Sequence, residues 1–519
     1  MVLHWPAFCR IVFADALVCG GLLDRPAVPE SDLPMTERVR PYLFYDVALT
    51  ICSHCYRKLE GKIVFQDERV FLLKRCPEHG SERVLIADDI DYYRRCREVF
   101  IKRPEMPVVY NTPVKWGCPY DCGLCTDHEQ HACLSLVEIT DSCNLRCPVC
   151  YSSSGPERLE HRPLFLIEKM LDAVVRNEGR PDVVQISGGE PTLHPDFFEI
   201  LRMAQARPIR HLMLNTNGLK IAQDEGFVRK ISDTAPDLEI YLQFDSFERE
   251  ALLDLRGGDL RSIREKALER LNKHNLSTTL VVTLRKGLND GEIGKIIDYA
   301  LTQPCVRGVT LQPIQNAGRV EKFNPSTDRL TLTEVRRKIL EQTNVFRPED
   351  VIPVPCHPDA LAMAYALKVD GKVVPLTRFV DPDVLINAAS NTIVYEEEPG
   401  IRDCLFKLFA TNHSPESSAT SLRELLCCLP RISAPAELSY KNIFRVLIVH
   451  FLDAYAFDVR SVKKTCIHIV HPDGRLIPFD TYNLFYRDDL EYTRLAALRQ
   501  PSSLVSLTPP RHTSNTFIR

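Results

Sequence analysis

The chain has 519 residues, of which 45% are hydrophobic and 26% charged, and its formal net charge is −4. This is the balance of an ordinary globular protein of two to four domains, and 65 basic against 69 acidic residues exclude a nucleic-acid or anionic-membrane binder that works through net charge. Nineteen cysteines break the pattern, thirteen of them before residue 151, and their metal-ligand spacings in so large a chain point to metal-bound thiolates in a reducing cytoplasm rather than disulfides.

Residues 1–40 show no clear period. Their apolar run, 11–23, is short, is interrupted by Asp15 and lacks a basic flank, so a poorly ordered extension is expected rather than a spanning helix or a signal peptide. Residues 41–134 read as a cysteine-rich metal-binding domain with β-like runs at 62–65 and 70–73. From 135 to 345 short apolar strands alternate with amphipathic helices. Strands are predicted at 135–140, 182–187, 211–215, 239–244, 278–283 and 308–312, and helices at 164–176, 196–206 and 260–274. That alternation predicts an α/β fold, a partial (β/α)6 barrel open on one side. Residues 346–490 form a mixed C-terminal region that opens on a Pro-rich stretch, with a helical segment at 421–429, and the polar residues 491–519 are expected to be a disordered tail.

Three groups of cysteines carry chemistry. Cys52 and Cys55, followed by Cys76 and His79, have the spacing of a tetrahedral mononuclear site. His79 or Cys96 is its candidate fourth ligand, and zinc and iron both suit it. Cys118, Cys122 and Cys125 have the spacing C-x3-C-x2-C, with Cys133 a short polar stretch away. This reads as an auxiliary [4Fe–4S] cluster with Cys133 as fourth ligand, or else as a zinc knuckle. Cys143, Cys147 and Cys150 repeat the spacing directly after a predicted strand. Three thiolates on one loop leave the fourth iron of a cubane open to a small molecule. Gly188, Gly189, Glu190 and Pro191 then follow the second strand. Asn215 and Asn217 follow the third, and Gln243 and Asp245 the fourth. These are the strand ends where barrel active sites are built.

The cysteine loop and the Gly-Gly-Glu-Pro segment resemble the radical S-adenosylmethionine (SAM) superfamily. That resemblance implies a [4Fe–4S] cluster on Cys143, Cys147 and Cys150, with SAM chelated at the open iron. It also implies SAM contacts from Gly188, Gly189, Glu190, Pro191, Asn215, Asn217, Gln243 and Asp245. Val149 stands where the superfamily carries an aromatic ring, and Tyr151 is the neighbouring candidate. The order of blocks from Cys52 to Asn483 resembles, more narrowly, the archaeal tetraether lipid synthase family and its bacterial relatives, once grouped with methanopterin-type methylases. That family implies auxiliary clusters, a rubredoxin-like iron, an electron donor such as flavodoxin or ferredoxin, and a lipid or small-molecule substrate, with peripheral membrane contact open. In its C-terminal region Cys356 and Cys466 are the most motif-like of five cysteines, and Cys427–Cys428 reads as helical core. The expected reaction is hydrogen abstraction from an unactivated carbon followed by coupling of lipid chains. Radical methylation of a pterin-like substrate is the alternative, and a non-catalytic iron–sulfur electron carrier is the reading from another class.

Overall fold

The computed structural model describes residues 40–100, 105–369, 372–378 and 442–499, together with 381, 382 and 386. The apolar run at 11–23, the helical segment at 421–429, and Cys404, Cys427 and Cys428 lie outside them.

Four strands, β1 (Leu43–Ile51), β2 (Lys58–Gln66), β3 (Arg69–Cys76) and β4 (Gly80–Ala87), pair as an antiparallel meander. Their alternation buries Ala48, Ile63, Val70 and Leu72 in a small core of their own. In a meander the first and third turns fall at the same end, so Cys52 and Cys55 meet Cys76 and His79.

The central sheet uses β5 (Leu134–Thr140), β7 (Val183–Gly188), β8 (His211–Thr216), β9 (Glu239–Gln243), β10 (Thr278–Leu284) and β11 (Val306–Pro313), with a two-residue β6 (Val149–Cys150) between the first two. Each expected strand of the barrel is present, with its ends within two residues. The six pair in chain order, all parallel. Both faces are covered, which is why every residue of β7 is buried and the strands read as apolar runs.

The C-terminal region continues this sheet at both edges. After β12 (Arg319–Val320), β13 (Ile352–Pro353), β14 (Leu361–Val369) and β15 (Lys372–Pro375), strand β16 (Ile443–Val449) lies parallel to β11, with Gly308 opposite Arg445. Strand β17 (Ile467–Val470) lies parallel to β5, with Ile467 opposite Leu134, and β18 (Leu476–Pro478) folds back on it. Eight consecutive strands therefore run parallel, two more than the sequence pattern predicts. Residues 491–499, expected to begin a tail, are helical (Glu491–Leu495 and Ala496–Leu498). Arg499 anchors them by donating to the Tyr120 carbonyl at 2.6 Å.

Alternate side chains point into the lumen. At its base Arg445 Nη2 donates to both oxygens of Glu239 at 2.9 Å, His211 Nε2 lies 2.6 Å from Oε2, and Thr279 donates at 2.5 Å to Oε1. Burial alone would raise the Glu239 carboxyl, but the Arg445 guanidinium and His211 hold it well below the ordinary range. β16 stands three places from β9 in the sheet, so this pair spans the lumen.

Replacing Arg445 by Met leaves Glu239 buried without its main counter-charge. Urea unfolding of R445M is expected to show a loss of about 3–5 kcal/mol, and the E239Q/R445M double variant less than the sum of its single variants. A loss under about 1 kcal/mol would place the pair with weak surface pairs.

Candidate active site and metal centres

β5 ends at Thr140, and the loop bearing Cys143, Cys147 and Cys150 begins two residues later. The backbone holds this loop from two sides. Gly189 N donates to the Thr140 carbonyl at 2.7 Å and Glu190 N to the Ser142 carbonyl at 2.8 Å. A Cβ on Gly188 or Gly189 would stand 2.2 Å from Thr140 O or 2.1 Å from Ser142 O. The paired glycines thus let β7 close on the cysteine loop, a tighter constraint than room for a ligand. On the other side β12 pairs with β6, and Arg319 donates to the carbonyls of Cys147 (2.7 Å) and Ser154 (2.6 Å). The service of Arg319 to the loop is visible in the fold alone.

All three thiols line one cavity that leaves about 200 Å3 for the centres of water-sized molecules, and they are its only cysteines among the described residues. Burial, with the Glu190 carboxylate and the neighbouring thiols, pushes the Cys143 thiol up to about 12. A thiolate here calls for a bound cation. Three sulfurs on one loop at one mouth fit three corners of a cubane and leave the fourth facing the cavity.

Of the residues expected at SAM, Gly188, Gly189, Asn215, Asn217 and Gln243 line this cavity, and Glu190, Pro191 and Asp245 stand behind it. Glu190 is fully buried. It accepts from Thr192 N and Oγ1 and from Thr216 Oγ1 on one oxygen, and from Asn217 N at 2.8 Å on the other. Burial raises its carboxyl against these bonds. The carboxylate therefore ties together the loops around the site. Asp245 is likewise sealed: Arg256 Nε and Nη2 clamp its two oxygens at 2.7 and 2.6 Å. Burial alone would raise Asp245, and Arg256 holds it below the ordinary value. Arg256 also donates to Gln243 at 2.9 Å and faces the cavity. It ends the helix Arg249–Arg256 in no recognisable motif, so sequence reasoning missed it. From Gln243 a hydrogen-bonded chain runs through Asn215 and Ser187 to the Tyr151 hydroxyl. The Tyr151 ring packs on Phe479, with centroids 5.0 Å apart, as part of the wall.

In the β1–β4 meander, Cys52, Cys55, Cys76 and His79 lie within 4.8 Å of one another, which selects His79 over Cys96 as fourth ligand. Cys55 and Cys76 are 3.8 Å apart, the edge of a tetrahedral thiolate site with metal–sulfur bonds of about 2.3 Å. Cys118, Cys122 and Cys125 act on one another electrostatically, with Lys463 as a facing cation. Cys133 does not complete that group. Strand β17 pairs with β5 from Ile467 opposite Leu134, so the residues just before, Cys466 and Cys133, are neighbours, and Cys356 joins them.

Residues 137–300 match the Radical SAM superfamily and residues 44–88 the HMPTM N-terminal zinc ribbon domain. The 7,8-dihydro-6-hydroxymethylpterin dimethyltransferase of Methanocaldococcus jannaschii is 31% identical over 484 residues, 85% of this chain and 94% of that protein. The chain belongs to the radical SAM superfamily. Superfamily members use a [4Fe–4S] cluster and SAM, and the loop described above has the three thiols for the cluster. More distant is the GTP 3′,8-cyclase of Alkaliphilus oremlandii, 28% identical over 35% of this chain and 57% of that enzyme. Among solved structures, that of Streptococcus suis SuiB is 16% identical with a TM-score of 0.33, covering 40% of this chain and 45% of that one. No helix of the described residues is long and apolar enough to cross a membrane.

Gly189→Ala drives a Cβ into the Ser142 carbonyl and is expected to lower acid-labile sulfide in the purified protein by up to half, the share of the cluster on Cys143, Cys147 and Cys150. Gly291→Ala, whose Cβ meets nothing within 4 Å, should leave it unchanged. Cys76→Ser is expected to remove one metal ion per chain, measured by plasma mass spectrometry, with sulfide unaffected.

Proposed function

We propose that this radical SAM enzyme abstracts one hydrogen atom from an unactivated carbon of each of two lipid chains held in the barrel lumen, one SAM consumed per hydrogen, and that the two carbons join in a carbon–carbon bond. The observation that supports this is the cavity. It starts at Cys143, Cys147 and Cys150, reaches the first residues of β5, β7, β8 and β9, and has walls that include Leu134, Leu136, Val309, Leu447 and Phe451. An apolar chain fits such a slot, and the paired charges of Glu239 and Arg445 close its end.

In this reading Cys143, Cys147 and Cys150 hold the cluster, which with SAM supplies a 5′-deoxyadenosyl radical after one-electron reduction. Gly188, Gly189, Asn215, Asn217 and Gln243 line the SAM pocket. Arg256, clamped by Asp245, fixes the Gln243 amide, and Gln243 fixes Asn215, so the polar rim is set before substrate arrives. Cys118, Cys122 and Cys125 carry an auxiliary cluster. A flavodoxin or ferredoxin supplies the electron.

The second reading is methylation of a pterin. The name of the relative at 31% identity favours it, and the amide-rich rim would suit a heterocycle.

Reconstituted protein with dithionite and SAM is expected to form 5′-deoxyadenosine, and Cys143→Ala to lower that rate at least 100-fold. Lipid extracts of cells with and without the gene should differ in joined chains. Methylated pterin and S-adenosylhomocysteine, with no joined chains, would decide for the second reading. Val309→Phe, which narrows the lumen, should leave SAM cleavage within about threefold while chain coupling falls tenfold or more.

A further inference from the structure

Three cysteines from distant parts of the chain meet at one buried point in the barrel wall. The thiols of Cys133, Cys356 and Cys466 all lie within 4.8 Å of one another, with Cys356 Sγ and Cys466 Sγ 3.1 Å apart. Their exposures are 0%, 2% and 0%. Each stands a few residues or fewer before a strand of the sheet: Cys133 before β5, Cys356 before β14 and Cys466 before β17.

A histidine is aimed at the group. His131 Nε2 is 3.3 Å from Cys133 Sγ, and its Nδ1 is 3.0 Å from Glu178 Oε2. Thiols serving only as small apolar core residues have no use for such a partner.

The spacing separates one ion from a cluster. Thiolates on a single tetrahedral ion stand about 3.8 Å apart, as the ribbon thiols do, whereas thiolates of a cubane bind different irons and stand wider. Among the described residues, the ribbon set, this triad and the overlapping set His131–Cys133–Asp182 are the groups within 4.8 Å, and neither loop triplet is among them.

We propose that Cys133, Cys356 and Cys466 form a second mononuclear site for a thiophilic divalent cation, zinc or ferrous iron. None of the three thiols lines the cavity, so the site is structural. It clamps β14 and β17 to β5, and its loading releases the thiol protons to solvent.

The test uses the full chain purified anaerobically, with iron, zinc and acid-labile sulfide measured together. A cubane contains as much sulfide as iron, so iron plus zinc minus sulfide counts the mononuclear ions. Two per chain are expected. The C356S/C466S double variant should lower the count to one at constant sulfide, as C76S should independently through the ribbon. A wild-type count of one overturns the proposal. So does a fall in sulfide in C356S/C466S, which would mean a cluster, or a Cys356–Cys466 disulfide in the peptide map of unreduced protein. Should C356S/C466S fail to fold, cobalt(II) exchange into the C76S protein decides. Thiolate-to-cobalt absorption supports the site and its absence overturns it.

Discussion

A guanidinium and a carboxylate buried on opposite walls of a barrel must stay paired, because either alone would cost several kcal/mol. Arg445 on β16 and Glu239 on β9 are such a pair, and Glu239 gathers His211 from β8 and Thr279 from β10 as well. One buried carboxylate therefore ties the neighbouring strands β8, β9 and β10 to β16, which the sheet keeps apart from them. It also requires the C-terminal β16 to stay beside β11, which curves the sheet around the lumen. The base of the lumen is then closed by charge, and the open mouth is the end where the cysteine loop sits.

At that mouth order is imposed by hydrogen bonds rather than by bulk. Asp245 clamps Arg256, Arg256 holds Gln243, Gln243 holds Asn215, and Asn215 reaches Ser187 and through it Tyr151. Amides held on both sides cannot turn their donors and acceptors at random. The mouth is thus a rigid polar rim on a largely apolar shaft, which suits chemistry in which a reactive carbon must be kept from water and from stray hydrogen donors.

The two C-x3-C-x2-C loops show how context divides equal motifs. Cys143, Cys147 and Cys150 face the lumen because β5 delivers the loop to the strand ends and β7 closes over it with Gly188 and Gly189. Cys118, Cys122 and Cys125 precede the barrel and are held elsewhere: the Cys122 backbone N–H donates to the Tyr486 hydroxyl. The geometry of the sulfurs, more than their count, distinguishes loops suited to clusters from points suited to single ions.

Much of this protein was legible in its sequence. The alternation of apolar runs and amphipathic segments fixes six parallel strands, since period and length are local properties of the chain. The ligand loops are legible for the same reason: Cys143, Cys147 and Cys150, or Cys52 and Cys55, are close in space because they are close along the backbone. Only the tertiary structure decided that β16 and β17 extend the barrel, that Arg256 and Arg445 supply its internal charges, and that Cys133 belongs with Cys356 and Cys466. Apart from Arg256, 11 positions from Asp245, those pairings join residues more than a hundred positions apart, as Arg445 is from Glu239. No spacing rule reaches that far. Strand register and the need to pair buried charge select them, and both exist only once the sheet has formed.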